Sequence, residues 1–139
     1  MSGNNAEENS VKTYFQSNIP SLVFHFFLSI FAMMMVFFIN QPQVTFYGIL
    51  IVYILFGLAL KNQGSLSLNI QSVSLVFIVN LIMFTLIPLI VAEVLMFYSL
   101  PYLYLAFINE QLIYLAIILP SVCMLIGLYV KILLARLKK

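Results

Sequence analysis

Glu93, His25 and Asn80 are the residues whose types could do chemistry here, because each interrupts a long apolar run. A carboxylate can bind a cation or take a proton, an imidazole can do either near neutral pH, and an amide can orient both. Ionisable groups inside such runs are uncommon and are read first as functional. Glu93 lies in "LIPLIVAEVLMFYSLPYLYLAF", residues 86–107, between Pro88 and Pro101. Cys123 is the one cysteine. An apolar setting keeps a thiol protonated, so it is read as a packing residue and not a nucleophile. Met33, Met34 and Met35 are consecutive, and helical neighbours point about 100° apart, so they cannot converge on a copper ion. The chain has no Asp, no HExxH, no CxxC, no GxSxG and no phosphate-binding glycine loop. The expectation is a protein that is not an enzyme and carries no cofactor or metal.

The elements that must position these residues follow from composition. Hydrophobic residues make up 64% and charged residues 7% of the 139, against about 45–50% and 25% in soluble domains. So few charges cannot cover the surface of a folded body, and most of it must face lipid or apolar protein. A net charge of +2 is too small to point to nucleic acid, and one cysteine allows no intrachain disulfide. Four apolar runs predict helices at about 19–39, 44–60, 73–99 and 112–134. The first would extend about 30 Å, the thickness of the hydrocarbon core. Breaks at "NQPQ" (40–43), "KNQGSLSLNIQS" (61–72) and "NEQ" (109–111) separate them. Residues 1–18 are polar, unlike a basic signal sequence, and are expected to be flexible; 135–139 form a basic tail.

The count of crossings rests on charge. Four crossings put Lys12, Lys61, Lys131, Arg136, Lys138 and Lys139, every basic residue, on one side. Five would place the C-terminal four opposite the others, against the positive-inside rule. The predicted fold is an all-α integral membrane protein, a four-transmembrane-helix bundle (19–134) with both termini inside. The cell membrane is the expected location, an organelle membrane the alternative.

Helices in lipid associate through small residues and a few hydrogen bonds. Ser21, His25, Ser29 and Ala32 form one such stripe. Leu81, Thr85, Pro88 and Ala92 form a second, and Ala116, Pro120, Cys123 and Gly127 a third. In the second run, Gly48, Gly57 and Ala59 do not share a line. Cys123 and Gly127 are the best-spaced packing pair.

On straight helices His25 lies about 9 Å in from the inner side with Asn80 at similar depth, which predicts a direct hydrogen bond between them. Glu93 falls about 30 Å along the third helix, at the outer boundary, and about 20 Å from His25. It reads either as an ion- or solute-binding acid at an outward mouth or as an interfacial acid with a structural role. Tyr98, Tyr102, Tyr104 and Phe107 read as an outer aromatic belt. "SLSLNIQS" suits an interfacial helix at least as well as a strand. The expected partners are the lipid bilayer and another membrane protein or a second copy. The leading functional expectation is an accessory, assembly or interaction subunit of a membrane complex, or an immunity-type protein. A small homo-oligomeric transporter or channel is the alternative.

Overall fold

The computed structural model describes residues 3–86 and 92–137, with side chains described for 11–86 and 95–137. It is helical, with no strand among the described residues. The helices are α1 (Gly3–Ile39), α2 (Pro42–Ala59), α3 (Leu66–Gln71), α4 (Ser74–Thr85), α5 (Ala92–Ser99), α6 (Leu103–Ile108) and α7 (Leu119–Leu137). Leu100–Tyr102 and Glu110–Ile117 are 3-10 turns. Three helical stretches are long and apolar enough to cross a membrane: Val11–Ile39, Pro42–Ala59 and Leu119–Leu137.

Local chemistry sets the ends. α1 begins at Gly3 rather than near residue 19, so the polar segment is the first part of this helix. Its 37 residues reach about 55 Å, well beyond a hydrocarbon core of about 30 Å. Asn40 then takes φ 47°, the left-handed conformation that asparagine tolerates beyond a helix end. Pro42 opens α2, where a missing N–H costs nothing. Ser65 caps α3 by accepting from the Leu68 N–H at 3.3 Å. The "SLSLNIQS" segment is thus helical at its centre.

The fourth run is not one helix. Asn109 accepts from the Gln111 N–H at 2.9 Å and starts a 3-10 stretch that lasts to Ile117. Pro120 cannot donate to the carbonyl one turn back, so regular α-helix begins only around it, at Leu119.

The third run departs furthest from expectation. Instead of one helix over 73–99, α4 stops at Thr85 after 12 residues, about 18 Å and too short to cross. Pro88 lacks an N–H and disfavours helical geometry in the residue before it, a local reason for the stop. Pro88 itself lies outside the described residues. Beyond the gap, α5 brings Tyr98 back to Asn80, to which it hydrogen-bonds. In one straight helix these positions, 18 residues apart, would be about 27 Å distant. The chain therefore doubles back between them.

This reversal corrects two placements. Glu93 is not at the far end of a straight span but on α5, the returning helix; its side chain lies outside those described. Tyr98 and Tyr102 are not a surface belt but are buried, while Phe107 is exposed. The inward line of α4 also differs from the predicted stripe. Leu81 and Thr85 face outward, and Val76, Asn80 and Phe84 face inward. Burying Asn80 sets the rotation, since an amide turned to an apolar exterior would find no partner.

α2 and α7 run side by side in the same direction. Gly57 meets Met124 and Gly127, and Leu60 O accepts from Lys131 Nζ at 2.8 Å, so rising numbers match. The end carrying Lys61 and Lys131 is the basic end. Tyr53, Val76, Met124 and Leu128 centre the core nearer that end. Phe46, Phe84, Tyr102 and Ala116 centre a second cluster toward the other.

Side chains from two helices secure the α3–α4 junction. Asn18 Oδ1 accepts from the Leu75 N–H at 3.0 Å, a first-turn donor that α4 cannot satisfy itself. Ser21 Oγ lies 2.7 Å from Ser72 O, and Ser121 Oγ donates to Val73 O at 3.1 Å. Tyr14 OH meets Ser74 Oγ at 2.6 Å. Asn18 thus caps α4 from α1. Asn18→Leu should destabilise the fold by about 1 kcal/mol, as loss of a helix cap does. Thermal unfolding in mild detergent reads this, and an unchanged midpoint would remove the cap from the account.

Candidate functional site

His25 is fully buried on α1, and both ring nitrogens are engaged. Nδ1 lies 2.7 Å from Tyr53 OH on α2, and Nε2 lies 2.6 Å from Tyr98 OH on α5. Tyr98 OH donates to Asn80 Oδ1 on α4. Four residues from four helices thus form one row.

The sequence makes the row possible through helical spacing. On α2 the buried line is Thr45, Phe46, Ile49, Tyr53 and Gly57, successive turns of one face. On α1 Ser21, His25, Ser29 and Ala32 are all buried, turned toward that face. Tyr98 reaches the row only because the third run folds back. Its ring also packs edge-on against Phe84, with centroids 5.9 Å apart.

Proton counting orients the bonds. A phenol has one hydrogen, and Tyr98 gives its own to Asn80. It must therefore accept from His25 Nε2–H. An uncharged imidazole then has only a lone pair at Nδ1, which accepts from Tyr53. All bonds point one way, from Tyr53 to Asn80. Asn80 Nδ2 at the end of the row is buried with no partner among the described residues. The row can hold four helices in register, and its rings and amide can orient a polar group placed against that N–H.

The predicted residues divide as follows. His25 and Asn80 do belong to one cluster, and Tyr98 OH bridges them, 2.6 Å from His25 Nε2 and donating to Asn80 Oδ1. Glu93 lies on the same helix as Tyr98, and its side chain lies outside those described. Ala116, Pro120, Cys123 and Gly127 are buried, and Gly127 lies against α2. Cys123 is a free thiol in the core. Among the described residues, no group of three or more His, Cys, Asp or Glu could hold a metal.

Tyr53 and Tyr98 are the members that sequence reasoning missed. The signal was present for Tyr53: a phenol in the middle of an apolar run needs a hydrogen-bond partner as much as a histidine does. No protein-family model, curated protein or solved structure matches this chain.

Proposed function

We propose that this chain is an integral membrane protein of four crossings with both termini on the cytoplasmic side of the cell membrane. It would act as a non-catalytic accessory or interaction subunit of a membrane complex, or as an immunity-type protein. The third crossing is divided: α4 leaves the basic end, α5 folds back, and α6 leads on to the turn at Asn109. The parallel course of α2 and α7 fits an even number of crossings up to the C-terminus, and the gathered basic residues fit the positive-inside rule.

One observation carries the subunit reading. The described polar core is largely occupied with itself, while α1 offers a broad apolar face. Phe27, Phe37 and Phe38 are 71%, 69% and 83% exposed. A protein of this kind works through what packs on its outside. Native mass spectrometry from mild detergent should therefore show the chain in a defined complex with another membrane protein. A bare monomer carrying lipid alone would count against it.

A second reading, a small transporter, is favoured by the interrupted third run beside a buried histidine. Broken helices within a membrane are tolerated where they are covered by protein or line a cavity, and transporters place binding groups there. On this reading, Glu93→Gln should reduce ion or solute flux in liposomes at least tenfold. No flux from the unmodified protein would discard it.

A further inference from the structure

A cavity of about 310 Å³ lies at the basic end, between α1, the end of α2 and the loop that follows. Its wall has two chemistries. Of its lining residues Pro20, Phe56 and Ala59 are apolar, while Gln16, Lys61 and Gln63 are polar, one of them a cation. These three polar side chains make no hydrogen bond among the described residues. Lys131, in contrast, is committed to the Leu60 carbonyl at 2.8 Å, where a cation suits the C-terminal end of α2. Lys61 follows that capped carbonyl directly and makes no ion pair or hydrogen bond of its side chain among the described residues.

We propose that this cavity binds the headgroup of an anionic phospholipid from the leaflet on the basic side. Lys61 pairs with the phosphate, the Gln16 and Gln63 amides donate to its oxygens or to the glycerol, and the first methylenes lie on Pro20 and Phe56. The level is right for such a molecule. Lys61 lies two residues past the end of the apolar α2, so the cavity straddles the boundary where a lipid changes from charged to apolar. Basic pockets between helices on the cytoplasmic side are suited to acidic headgroups, and each lysine near the surface contributes about 1 kcal/mol, or about fivefold in affinity. The inference needs the chain to lie in a membrane but is independent of its role there.

The test uses the full chain in mild detergent, with native mass spectrometry against phosphatidylglycerol, phosphatidylcholine and inorganic phosphate. Phosphatidylglycerol should be retained in preference to phosphatidylcholine. Lys61→Gln should lower its affinity about fivefold, leaving phosphatidylcholine retention and the melting temperature unchanged. Gln16→Leu should weaken it in the same direction. Arg136→Gln, on the tail, should have little effect. Equal losses from Lys61→Gln and Arg136→Gln would mean diffuse attraction and overturn the site. So would the absence of a preference for phosphatidylglycerol. Displacement by millimolar inorganic phosphate would overturn the lipid as its ligand.

Discussion

Gly127→Ala should cost about 3 kcal/mol or more, at or above the upper end of the usual penalty for overpacking. α2 and α7 cross where Gly57 faces Gly127. A Cβ on Gly127 would fall inside the radius of the Ile54 carbonyl oxygen and 2.9 Å from Gly57 Cα. One on Gly57 would strike the Met124 carbonyl oxygen in the same way. Both obstacles are backbone, so no rotamer change relieves them, and the helices must separate. In lipid there is little hydrophobic gain to hold them at a greater distance, since association there depends on close contact. Cα–H···O contacts available at such a crossing would be lost as well.

Gly48 on the same helix is the control. Nothing lies within 4 Å of a Cβ placed there, so Gly48→Ala should be neutral or stabilising by up to about 1 kcal/mol through helix propensity. Unfolding titrations in mixed micelles would separate the three variants. Gly57→Ala should resemble Gly127→Ala, and the double variant should cost less than their sum, because the first methyl already opens the crossing. Equal effects at Gly48 and Gly127 would show that the helices are not in backbone contact.

Gly127 was legible from the sequence and Gly57 was not, and the difference is physical. Gly127 stands one turn from Cys123 on a line with Pro120 and Ala116, so a small face can be read off one helix. Gly57 has no small neighbour on its line. Its buried companions are Tyr53, Ile49 and Phe46, and its role appears only when α7 is laid against it. The helical class, three of the apolar stretches and the grouping of His25 with Asn80 also followed from periodicity and depth. The reversal of the third run did not. Periodicity reports which face a helix buries, not whether a chain continues past a proline, and prolines are tolerated within membrane helices. A straight helix over 73–99 places Tyr98 at the far boundary, and so hides its part in the polar row.

Tyr98→Phe is the most informative change within that row. Phenylalanine keeps the ring and its packing on Phe84 but removes the oxygen that, among the described residues, joins α5 to α1 and α4. His25 Nε2–H and Asn80 Oδ1 then lose the hydroxyl between them, and Asn80 Nδ2 already lacks a partner among the described residues. Stranding a buried polar group costs about 1–3 kcal/mol in soluble proteins, while hydrogen bonds between membrane helices average nearer 0.6 kcal/mol. With two groups stranded, a loss of about 2 kcal/mol is expected. Asn80→Leu should partly rescue it, because the leucine removes the stranded amide, so the double variant should be more stable than additivity allows. Hydrogen exchange supplies a second readout. The bond ties the returning helix to the rest of the fold, so the amides of residues 95–99 should exchange faster in Tyr98→Phe while those of α2 hardly change. Strict additivity with Asn80→Leu, together with unaltered exchange in α5, would mean that the row is not the tie. The fold-back would then have to be held by apolar packing, of the ring at 98 on Phe84 and of Tyr102 and Leu105.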